Sequence, residues 1–169
     1  RQEIPGFRNV PVLDGMDWPA LPRGDMTDYY FAGEAYKQLR WELTKRSEPW
    51  MLTVSLHNPH DICYHCLESD ERPWRNVEKY PPLPGNFEPP ADEPDFLKRA
   101  RKEEIAGREL PHTKDWTGER WRAYLDSYYR MVQTVDDSIG LILQGLEQSG
   151  MSEQTLIVLT SDHGEGMAS

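Results

Sequence analysis

Apolar residues recur at steps of three and four through the second half of the chain: Trp121, Tyr124, Leu125, Tyr128, Met131, Val132, Val135, Ile139, Ile142, Leu143 and Leu146. That period draws one stripe along a helix and predicts a long helix over 118–149. Gly150 is placed to end it in a left-handed conformation, and Arg122 and Asp126 stand one turn apart on its polar side. An earlier stripe, Phe31, Ala35, Tyr36, Leu39 and Leu43, predicts a second helix that starts near Asp25 or Thr27 as cap and is closed by Pro49.

Two stretches carry the strand pattern instead. In 50–56, Leu52, Val54 and Leu56 alternate with Met51, Thr53 and Ser55. In 155–159, Leu156, Ile157, Val158 and Leu159 form a continuous apolar run, as in a strand buried on both faces of a parallel sheet. Strand 50–56, helix 118–149 and strand 155–159 make a βαβ unit, with 61–116 as a proline-rich insertion in the crossover. The stretch from Ile62 to Trp116 holds eight prolines and a short predicted helix over 95–104. Insertions of this length are lids, binding surfaces or disordered segments. The expected fold is α/β, a mostly parallel sheet flanked by helices.

Both strands run into polar turns. The first ends in His57-Asn58-Pro59-His60-Asp61, the second in Ser161-Asp162-His163-Gly164. In open α/β sheets ligands sit beyond the carboxyl ends of the strands, so two parallel strands would open both turns on one rim. Neighbouring residues normally point to opposite sides of a strand. Asp162 and His163 therefore reach one ion only if the strand breaks there, and Gly164 and Gly166 permit that break. A carboxylate beside an imidazole leans toward zinc, manganese or iron and slightly away from calcium. His60 is the candidate to bind an anionic group or pass a proton to a leaving group. His57, three residues earlier, reads as structural, and His65 and His112 read as surface residues of the insertion.

Composition narrows the partners. The 169 residues carry a net charge of −10, which disfavours nucleic acid. Hydrophobic content is 37%, with 14 prolines, while 6 Trp and 8 Tyr argue against disorder. No apolar run approaches the roughly 18 residues of a membrane span. Cys63 and Cys66 form a lone CxxC without the second pair a zinc ribbon needs. Lys98, Arg99, Arg101 and Lys102, with Arg108 beyond, are the one basic cluster; a solvated helix face and an anion-binding surface are both open readings.

The strand-plus-NPHD and strand-plus-SDHGE motifs, joined by the tyrosine-rich YYRMVQTVDDSIG helix, resemble the formylglycine-dependent (type I) sulfatases of the alkaline phosphatase superfamily. The resemblance runs from about Phe31 onward. It implies an alkaline phosphatase-like sheet, with 1–169 as a single, partial catalytic domain. It also implies one divalent ion, calcium, held by Asp162 and His163, reversing the lean from ligand type. His60 would contact the sulfate ester and protonate its leaving oxygen. The family's nucleophile is a formylglycine made from Cys or Ser in C/S-x-P/A-x-R. Neither Cys63 nor Cys66 leads such a sequence and no serine does, so the formylglycine segment is expected upstream, and this chain alone is expected to be inactive. The implied partners are a sulfated carbohydrate or other sulfate ester and the rest of the same domain. The family's usual location is periplasmic or extracellular. Rival readings are a two-metal phosphohydrolase or phosphotransferase of the same superfamily and a non-catalytic anionic-glycan-binding domain.

Overall fold

The computed structural model describes residues 24–60, 62, 80–102 and 116–164. Helices α1 (Gly24–Lys37), α2 (Asp95–Lys102) and α3 (Gly118–Ser149) are the main elements. A π-helical turn, Gln38–Glu42, and a 3₁₀ turn, Leu43–Lys45, prolong α1, and a second 3₁₀ turn, Ser152–Gln154, follows α3. The chain leaves the first helical run at Arg46, whose backbone is extended (φ −90°, ψ 137°).

α3 spans the residues its periodicity predicts. Its start is capped by Thr117, whose Oγ1 accepts the Arg120 N–H at 3.2 Å. It ends where Gly150 adopts φ 76°, a conformation only glycine takes without steric cost. Ser127 and Ser138 are buried on it, and their hydroxyls donate to the carbonyls of Ala123 and Thr134, four residues back. That bond lets a polar residue face the interior without an orphaned group. Asp126 pairs with Arg130, not with the predicted Arg122: the Arg130 Nε lies 2.8 Å from its Oδ2. Both partners sit one turn from Asp126, so sequence spacing alone does not choose between them.

The molecule divides into two compact units, one of Arg1–Asn58 with Thr134–Thr155, the other of Pro59–Gln133 with Leu156–Ser169. In the first, α1 and the later part of α3 lie side by side and run the same way. Tyr29 donates to Asp137 at 3.3 Å and Tyr36 to Gln148 at 2.6 Å, so both helices advance together. Below this seam Leu39, Leu43 and Leu146 form the core, with Trp50, Leu52, Ile142 and Met151 packed against it. Burying each leucine contributes about 2 kcal/mol.

In the second unit, the proline-rich segment meets the start of α3 through aromatic rings. Phe87 stands edge-on to Trp121 at 6.1 Å, and Trp116 lies 4.9 Å from Trp121 and 5.4 Å from Tyr124. The Arg120 guanidinium covers the Trp116 ring at 4.6 Å. On α2, which ends at Lys102 within the described residues, Phe96 and Leu97 are exposed beside Lys98 and Arg99.

The two stretches predicted as strands carry no ladder; among the described residues no strand is formed. In 50–56 the expected alternation holds, with Leu52, Val54 and Leu56 half-buried and Met51, Thr53 and Ser55 exposed. The run 155–159 departs from expectation: Leu156, Ile157, Val158 and Leu159 are 89%, 56%, 78% and 75% exposed. A strand is buried on both faces only when other strands flank it and helices cover it, and the described residues provide neither. Among the described residues, no helix is long and apolar enough to cross a membrane.

Candidate functional site

Asp28, in the first turns of α1, is fully buried, and its carboxylate grips the backbone of the first polar turn. Oδ1 accepts the His57 N–H at 2.6 Å and Oδ2 accepts the Asn58 N–H at 2.9 Å. The alternating segment 50–56 delivers the chain to this point, with Asn58 buried and His57 half-buried. Pro59 then fixes its own φ and biases Asn58 toward extended backbone. The Ile62 N–H closes the turn onto the Pro59 carbonyl at 3.0 Å, and the Ile62 side chain is buried. His60 lies exposed within that turn. Sequence reasoning passed over Asp28, since beside Thr27 it looks like one more residue of a capped helix start. The legible signal is a lone carboxylate on the same side of α1 as Ala32 and Ala35.

The second turn carries Asp162 and His163, both exposed. Asp162 Oδ1 accepts the His163 N–H at 3.0 Å, and the Ser161 hydroxyl donates to the His163 carbonyl. His163 Nδ1 lies 3.1 Å from the Gly164 carbonyl. A proton on Nδ1 satisfies that oxygen and makes Nε2 the electron-pair donor, the arrangement metal-bound histidines commonly use. Nε2 in turn lies 3.7 Å from Asp162 Oδ2. Two adjacent residues thus hold a carboxylate oxygen and a ring nitrogen 3.7 Å apart.

This donor pair fits a divalent cation as part of a ligand set, because the atoms are of the right type and close enough to share an ion. A hard cation such as calcium takes six to eight oxygens, so two donors are not a whole shell. Among the described residues no cluster of three or more His, Cys, Asp or Glu side chains assembles. Asp61, Cys63, Cys66, His65, Arg108 and His112 lie outside the described residues.

Comparison with known proteins points to one family. The family model described as Sulfatase matches residues 5–169. The chain belongs to the sulfatase family. It is 26% identical over 126 residues to the Delta 4,5-hexuronate-2-O-sulfatase of Bacteroides thetaiotaomicron, covering 72% of this chain and 26% of that protein. It is 26% identical over 167 residues to the iduronate 2-sulfatase of Mus musculus, covering 94% and 29%. With the N-sulphoglucosamine sulphohydrolase of Homo sapiens it shares 30% identity over 124 residues, or 72% and 22%. The chain thus spans under a third of the length of these relatives. No solved structure matches. Family membership implies an alkaline phosphatase-like α/β fold, of which the described residues show the helices.

Proposed function

We propose that this chain is part of the catalytic domain of a sulfuric ester hydrolase acting on sulfated carbohydrate. The observation that carries this reading is the family match over 5–169, within which the NPH and SDHG turns both follow apolar stretches of strand-like sequence pattern. The relatives named above are sulfatases, and two of them carry hexuronate or iduronate in their names.

Asp162 and His163 are the proposed metal ligands. Calcium is the proposed ion, on the resemblance to the sulfatase family, and Nε2 and Oδ2 lie on adjacent residues 3.7 Å apart. When bound, such an ion offsets charge on the sulfate oxygens, and a formylglycine from a C/S-x-P/A-x-R segment is the proposed nucleophile. His60 holds a proton at its ring for the departing alcohol oxygen. Asp162 acts through its oxygens alone, and the Gly164 carbonyl keeps the His163 ring in the orientation that presents Nε2.

Release of inorganic sulfate by the full-length protein from sulfated uronic-acid oligosaccharides tests the reading. Turnover of phosphate monoesters in preference to sulfate esters would overturn it. His60→Ala is expected to cut sulfate release strongly; a change under about threefold, near 0.7 kcal/mol, would remove the residue from the mechanism.

A further inference from the structure

The least solvent-exposed carboxylate in the described structure belongs to neither polar turn's own sequence. Asp28 is 0% exposed, 29 residues from His57 along the chain, and spends both oxygens on consecutive backbone N–H groups. A carboxylate is the one short side chain offering two acceptors and no donor. Asparagine at this position would turn an NH₂ toward one of the two N–H groups. Two parallel N–H···O bonds to adjacent peptides hold those peptides in one mutual orientation, and charge-assisted bonds are the stronger kind. From that anchor the chain passes through the rigid Pro59 ring and is tied again where Ile62 bonds back to the Pro59 carbonyl. His60 stands between the two ties. Catalysis by a general acid is sensitive to displacements of about 1 Å, and a bracketed turn suppresses them.

We infer that Asp28 is a positioning residue for His60, setting the backbone from which the catalytic turn departs. The inference rests on the sulfatase reading and on the role given to His60 there. It assigns Asp28 no contact with substrate, only with the His57 and Asn58 amides. Its consequence is specific. Loosening the anchor weakens proton delivery to the leaving oxygen, which matters for alcohol leaving groups of high basicity and little for an activated phenolate.

The test uses the full-length protein with Asp28→Asn, His60→Ala and the double variant. Each is assayed on a sugar sulfate and on nitrophenyl sulfate, with thermal unfolding recorded alongside. Asp28→Asn is expected to lower kcat on the sugar sulfate by at least about tenfold, on the nitrophenyl ester by under about threefold, with KM within about twofold. In the His60→Ala background the same substitution is expected to add less than about a twofold further loss, because both act on one step. An equal loss on both substrates, or a full additional loss without His60, would show a general structural role and overturn the inference. If His60→Ala lowers sugar-sulfate turnover while Asp28→Asn does not, the inference fails and the reading of His60 stands. If His60→Ala is itself silent, the reading fails first and the inference with it. Should Asp28→Asn not fold, Asp28→Glu, which keeps both oxygens one methylene further out, replaces it under the same criteria.

Discussion

A Cβ built on Gly145 would stand 3.0 Å from the Cα of Tyr36 and 3.2 Å from its carbonyl oxygen. The neighbour is backbone, so it cannot swing aside as a side-chain tip can. Alanine in a helix interior normally gains about 1 kcal/mol over glycine, but overpacking costs about 1–3 kcal/mol. Gly145→Ala is therefore expected to destabilise the protein by about 1 kcal/mol, read from the denaturation midpoint. Gly140, on the same helix with nothing within 4 Å of its Cβ position, is the internal control: Gly140→Ala is expected to stabilise by about 0.5–1 kcal/mol. A stabilising Gly145→Ala would show that the α1–α3 seam is looser than described.

Tyr29 ties the same two helices together, and its bond has a sign in pH. Desolvation first, then the charge of Asp137 and the hydrogen bond to it, raise the phenol above its ordinary value of 10.0. The folded state thus favours the protonated form. The stability this contributes is fully present below pH 10 and is lost as pH climbs through the higher folded value. Lys37, raised by its hydrogen bond and charge pairing with Glu34, titrates on the same side of neutrality and declines likewise. Wild type must therefore be compared with Tyr29→Phe, which isolates the phenol. The stability gap between the two proteins is expected to be constant near neutral pH and to narrow above pH 10. A gap that widens there would reverse the assignment.

Chelation addresses the pair Asp162 and His163. A ligand present at a hundred times its Kd stabilises the folded state by about 2.7 kcal/mol. The full-length protein is expected to melt lower after treatment with a chelator and to recover with calcium. Asp162→Asn is expected to hold less than one equivalent of metal by elemental analysis and to melt at the same temperature with or without chelator. Full metal content in that variant would remove Asp162 from the site.

The exposed run 156–159 offers a test of the proposed sheet. If flanking strands cover it in the full-length protein, Val158→Asp buries an unpaired charge and costs more than about 3 kcal/mol. On an open surface the same change stays within about 0.5 kcal/mol. A neutral result would mean the run is not a central strand.

Several elements were readable from residues close together in sequence. The α3 stripe, the αL residue at Gly150 and the alternation at 51–56 all repeat over a few residues, and each is a matter of local backbone period. Both polar turns were legible for the same reason: each sits where a period stops and turn residues begin.

What the sequence alone determined was thus where the helices lie, which polar residues follow the apolar stretches, and the family they indicate. Tertiary structure alone decided the choice of Arg130 by Asp126, the pressing of Gly145 on Tyr36 and the hold of Asp28 on the His57 and Asn58 amides. The last two depend on groups brought together from distant parts of the chain, and no local period encodes them. The exposure of Leu156 to Leu159 has the same origin, because a strand's burial belongs to its neighbours rather than to its own residues.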